Sequence, residues 1–127
     1  MLPKSLIVNV PAMDIEHHEL FMYLEEFKES CFDSAHITLE KRDVLYGLLL
    51  KNCQTEKVLA QSVNFDFTSH ALAHAQMLKI VFHTLNQLSS NNGDIYTLIR
   101  YISYWFERHI LEYDIQIAQG LNATKLL

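Results

Sequence analysis

Between Met13 and Leu121 apolar residues return at three- and four-residue steps in four separate stretches, the periodicity of helices with one buried face. Only three glycines and two prolines stand in 127 residues to interrupt them. That scarcity of breakers favours long helices over a strand-rich fold. The first stretch, Met13, His17, Phe21, Leu24, Phe27 and Cys31, predicts a helix over about 13 to 31, with Asp14 in its first turn as cap or dipole partner. The second starts after Thr38 and carries Leu45, Leu48, Leu49, Leu59 and Val63 on one face over about 39 to 62. The third runs over about 69 to 89 through Met77, Val81, Leu85 and Leu88, with Thr68 or Ser69 as its cap. The fourth opens at Asp94 and follows Ile95, Leu98, Ile99, Ile102, Phe106 and His109. CFDSAHI, NFDFTS and SSNNGD read as the connections.

Four such helices joined by short loops predict an all-α, up-down-up-down antiparallel four-helix bundle, a single domain over residues 1–127. Ahead of it, residues 1 to 11 read as a short extended arm, because Pro3 and Pro11 discourage helix there.

A formal charge of -5 with no basic run argues against nucleic acid or an anionic membrane as partner. No apolar stretch approaches the ~20 residues of a membrane-spanning helix, and the N-terminus lacks the apolar region of a secretory signal. The two cysteines, Cys31 and Cys53, have neither metal nor redox spacing and make no disulfide framework. These features predict a soluble protein of the reducing cytoplasm.

The amphipathic stripes should contain apolar side chains alone, since burying an unpartnered polar group costs about 2–7 kcal/mol. Each stripe instead carries polar residues. His17 interrupts the first, Asn52 and Glu56 the second, His70 and His74 the third, and His109 the fourth. After His109 the inward series continues better as Ile110, Asp114, Ile117 and Leu121, so the seam shifts phase. A five-residue step leaves ideal helix directions about 140° apart. A π-bulge would bring His109 and Asp114 to one site, and such bulges favour functional sites; otherwise Asp114 sits on the helix flank in water. Antiparallel threading puts His17, Glu56, His70 and His109 toward the same end of the bundle. Imidazoles with carboxylates and no thiolates suit iron, zinc or manganese rather than a structural zinc site. Four histidines and two carboxylates exceed the needs of one tetrahedral ion, and a pair of ions bridged by Glu56 and Asp114 uses them better.

With these residues in place the chain resembles the hemerythrin family, especially its bacterial form, over nearly its whole length. Met13-Asp-Ile-Glu-His17-His-Glu-Leu20 is similar to that family's first-helix motif, with an acid three before the ligand histidine and leucine three after. His70-x-x-x-His74, fourteen residues after Glu56, matches its third-helix pair. Trp105-Phe-Glu-Arg-His109-Ile-Leu-Glu-Tyr-Asp114 matches its fourth-helix motif. The resemblance implies two non-haem iron ions (Fe2+/Fe3+) with a bridging oxo or hydroxo group, and Glu56 and Asp114 as bridging carboxylates. One iron would take His70, His74 and His109, the other His17 and a second histidine four residues before Glu56. This chain has Asn52 at that position, followed by Cys53.

The departure falls on the iron that, by the resemblance, binds dioxygen. Asn52 is then a poor ligand or a hydrogen-bond donor to a bound water or oxygen species, and three outcomes stay open: an oxidation-prone di-iron centre, one tightly held metal, or none. The expected function is to bind or sense dioxygen or a related small oxidant, without enzymatic turnover, through fusion to or contact with a signalling output. A metal-poor or single-metal interaction module is the alternative, and an oxidase or peroxidase has no substrate motif behind it. His18, His36 and His83 read as surface or loop residues, and Trp105 and Tyr113 as packing. Phe21, Leu24, Phe67, Met77 and Ile110 read as an apolar wall around the site.

Overall fold

The computed structural model describes residues 3–30, 39–89 and 95–125. Helix α1 spans Pro11–Ser30, α2 Leu39–Ser62, α3 Thr68–Ser89 and α4 Ile95–His109. A π-helical turn, Ile110–Asp114, carries α4 into α5, Ile115–Lys125. The residues flanking that turn keep α-helical dihedrals, so the three pieces form one rod. The four rods pack in a ring, α1 against α2 and α4, and α3 against α2 and α4, with α5 beside α2. This is the expected all-α four-helix bundle. Cys31, His36, Thr38 and the connection through Asp94 lie outside the described residues, as do the side chains of Leu88 and Ile95.

Local chemistry sets the helix ends and corrects three sequence expectations. Helix α1 starts at Pro11 rather than near 13, because proline's fixed φ and missing N–H suit the first helical position. The Val10 carbonyl accepts from the Met13 and Asp14 amides at 3.0 and 2.9 Å. Asp14 reaches back, its Oδ1 accepting the Val8 amide at 2.9 Å, which ties the arm to the helix. The arm itself is not extended throughout, since Lys4–Leu6 makes a 3-10 turn. Helix α2 ends with Asn64 in the left-handed region at φ 54°, while the Phe65 amide returns to the Ala60 carbonyl at 2.9 Å. Asp66, not Thr68 or Ser69, caps α3: its Oδ1 accepts from the Thr68 amide at 3.1 Å and the Thr68 hydroxyl at 2.8 Å.

Two apolar clusters fill the interior. The larger one runs through Leu20, Leu24, Leu45, Leu49, Met77, Val81, Leu85, Ile102 and Phe106. The smaller one joins Leu6, Val8 and Val10 of the arm to Met13, Ile110 and Ala118. Along α1 the order is Met13, His17, Leu20, and along the fourth rod Phe106, His109, Ile110, Asp114, Ala118. The polar residues thus form a layer between the main core and a plug made by the N-terminal arm. Each fully buried leucine contributes about 1.5–3 kcal/mol. Among the described residues no helix is long and apolar enough to cross a membrane.

Candidate metal centre

Seven polar or charged side chains are buried among the described residues: His17, Asn52, Glu56, His70, His74, His109 and Asp114. All seven are residues that interrupt the sequence stripes. Glu56 sits at the middle. Its Oε1 lies 3.0 Å from His70 Nε2, 3.0 Å from His74 Nε2 and 3.6 Å from His109 Nε2, whereas its Oε2 lies 3.2 Å from His17 Nε2. Asp114 divides the same way, with Oδ1 3.1 Å from His70 and 3.0 Å from His109, and Oδ2 3.1 Å from His17. Both carboxylates therefore turn one oxygen to a group of three imidazoles and the other to His17.

One ligand atom each from Glu56, His70, His74, His109 and Asp114 falls within a 4.8 Å group. The three imidazoles point their Nε2 atoms at one another, with His70 to His74 at 3.1 Å and His74 to His109 at 2.9 Å. A metal bond to nitrogen or oxygen is about 2.0–2.2 Å long, so two donors at right angles around one ion stand about 3 Å apart. The observed spacings match that value. Hydrogen bonds join part of the group, Glu56 with His17 and His70, and His74 with His70 and His109, but they leave Asp114 out. Asp114 lies near three ring nitrogens, yet neither of its oxygens accepts an aligned hydrogen bond. Five donors of metal-binding type lie buried in one small group, and the donor set fits a metal ion.

Packing holds the rings. The Nδ1 atoms of His17, His70 and His109 are buried without a hydrogen-bond partner. Trp105, one turn before His109, stacks on it at 4.3 Å and 15°, and Tyr113, four residues after, stacks at 5.2 Å and 20°. Phe67 lies 4.5 Å from the His70 ring and edge-on to His74 at 5.7 Å. Leu24, Met77 and Ile110 of the expected apolar wall are buried, while Phe21 and Phe67 are half-buried. His83 is exposed, as a residue off the seam should be.

The cluster perturbs its own protonation. Burial pulls His17 down, but Asp114 and Glu56 beside it prevail and hold it up at about 9. His109 rises to about 9 for the same reasons. His70 is also raised, burial again opposing the two carboxylates. His74 is lowered, since burial outweighs its contact with Glu56. Burial pushes Glu56 up, yet the surrounding His109, His17, His70 and His74 hold its carboxyl well below the usual range. The Cys53 thiol is pushed up to about 12 by burial, with Glu56 and Asp114 adding to it, so it supplies no thiolate.

Two polar residues beside the cluster have no counterpart in the stripe reading. Glu16 and Thr55 are half-buried on the flanks of α1 and α2, each one residue before a predicted ligand. Helical periodicity assigns such positions to solvent, so only the neighbouring asparagine signals them. Family models, curated proteins and solved structures offer no match to this chain.

Proposed function

We propose that this chain is a hemerythrin-like protein that holds a pair of non-haem iron ions and binds or senses dioxygen or a related small oxidant. The observation that carries the reading is the division of Glu56 and Asp114, each with one oxygen toward His70, His74 and His109 and the other toward His17. Two bridging carboxylates between two unequal groups of imidazoles suit two ions better than one. His70, His74 and His109 would hold the first ion, His17 the second, and Glu56 and Asp114 both. An iron pair supplies reversible one-electron and dioxygen chemistry when bound.

The chain's own residues do the rest. The arm and the larger core exclude water from both ends of the polar layer, and the stacked Trp105 and Tyr113 fix the His109 ring. With one histidine fewer than the family pattern, oxidation state is a natural signal, read by a signalling output, which favours sensing over bulk oxygen carriage. Oxygen uptake by the iron(II)-loaded protein tests this. A single uptake of about one dioxygen per iron pair supports binding or sensing. Continuous uptake with a reductant would make the protein an oxidase.

A second reading has its own support. His17 and His109 are held up at about 9 by Glu56 and Asp114, so the cluster can balance its charges with protons alone. In that form the bundle would be a metal-poor interaction module.

A further inference from the structure

Beside His17 a small network leaves one buried atom unexplained. Glu16 Oε1 accepts a hydrogen bond from Asn52 Nδ2 at 3.3 Å, and Glu16 Oε2 accepts one from the Thr55 hydroxyl at 2.8 Å. An amide shows a carbonyl oxygen on one side and a donating nitrogen on the other. Since the Glu16 oxygen accepts, the amide nitrogen must face Glu16. The Asn52 oxygen is then the free end, and it is buried with no donor. Asn52 itself is 1 % exposed. Burying a carbonyl oxygen without a partner is unfavourable, so a group held in this orientation calls for a ligand.

Its position says which. Adjacent residues of α1, Glu16 and His17, engage residues one turn apart on α2, Asn52 and Glu56. Asn52 therefore lies on the His17 side of the cluster, where Glu56 Oε2 and Asp114 Oδ2 also face. That side has one imidazole against three on the other.

We propose that Glu16, itself fixed by Thr55, orients Asn52 so that the amide oxygen becomes a neutral donor to the second metal position. This rests on the two-ion reading above. Glu16 is a positioning residue, acting on the metal only through Asn52. The two positions are then chemically unequal: three imidazoles and two carboxylate oxygens at the first, one imidazole and three oxygens at the second. The second ion is the weaker-held one, and the orientation of one amide sets its affinity. Asn52 is an oxygen donor here rather than a donor of hydrogen bonds to a bound water.

Stepwise titration of the metal-free full chain with Co2+ tests the assignment, with the cobalt absorption spectrum and bound metal per chain as readouts. The wild-type protein should fill in two steps. Asn52→Leu should lose the second step and keep the first. Glu16→Leu, which removes the acceptor that orients the amide, should weaken the second step by about ten- to a hundredfold and leave the first unchanged. Adding Asn52→Asp to Glu16→Leu should restore it, because a carboxylate presents oxygen in either orientation. Circular dichroism of each metal-free variant confirms that the bundle is folded. Two unchanged steps in Asn52→Leu or in Glu16→Leu overturn the role of this pair and leave the two-ion reading standing. A single step in the wild-type protein overturns both.

Discussion

His109 Nε2 and Asp114 Oδ1 stand 3.0 Å apart although five residues separate them along one rod. On an ideal α-helix they would point about 140° apart. The π-helical turn Ile110–Asp114 between them removes the difference, and it also buries Ile110 and Asp114 in succession to Phe106 and His109. The widened turn is what admits the second carboxylate to the cluster.

Changing the residue count in that turn should therefore act asymmetrically. Deleting Leu111, which is 51 % exposed, leaves a four-residue step, about 40° apart on a regular helix, and bound metal should persist. Inserting one alanine between Leu111 and Glu112 makes a six-residue step, about 120° away, and bound metal should be lost. Equal behaviour of the two variants, read by metal analysis after dialysis, would contradict the role given to the turn.

The two carboxylates and the lone histidine predict a graded loss. His17→Ala should keep about one metal ion per chain, because the three-imidazole group stays intact. Glu56→Leu should lose the second ion and also hold the first more weakly than His17→Ala does, since it removes an oxygen from both sides of the cluster. Equal affinity for the first ion in the two variants, read by metal titration, would mean that Glu56 does not serve both positions.

Much of this site could be read from the sequence because it breaks a rule that helices otherwise obey. His17, Glu56, His70, His74 and His109 are in phase with leucines and phenylalanines, where a polar side chain is expensive, so each signals itself. Asp114 is visible only through the change of seam after His109, and the bulge that accommodates it follows from that mismatch. Helix α2 runs Leu39–Ser62 as its pattern predicts. What escaped were features with no period. The Asp66 cap and the 3-10 turn at Lys4–Leu6 depend on local hydrogen bonds among several candidate residues. Glu16 and Thr55 sit at helix-flank positions, and their tie to Asn52 is a tertiary contact that spacing along one helix cannot carry.

The protonation of the cluster gives the metal-free protein a distinctive pH profile. His17 and His109 stand at about 9 against an ordinary 6.5, so their stabilisation is fully present below 6.5 and lost as the pH rises through about 9. Glu56 acts in the opposite direction, its contribution present above 4.5 and lost as the pH falls through its lowered value. His74, held neutral by burial, trims stability as the pH drops below 6.5. Thermal unfolding without metal should be highest in the mildly acidic range and decline toward pH 9. Metal-loaded protein should lack the alkaline decline, because the ion replaces the protons. Parallel curves with and without metal would mean that metal binds elsewhere.

The arm is predicted to guard the site as well as stabilise it. Leu6 is buried in the cluster formed with Val8, Val10, Met13, Ile110 and Ala118. Leu6→Ala should cost about 2–5 kcal/mol in stability. It should also speed the removal of bound metal by a chelator, measured below the unfolding temperature. Unchanged chelator kinetics in a destabilised Leu6→Ala protein would confine the arm to packing.

We propose that one buried layer takes two metal ions between Glu56 and Asp114. Iron per chain after anaerobic loading with iron(II) and removal of free metal tests it most directly. The arrangement of His17 opposite His70, His74 and His109 predicts about two irons per chain. One iron per chain, or none, would contradict the two-ion account, and none would leave the cluster as a proton-balanced core.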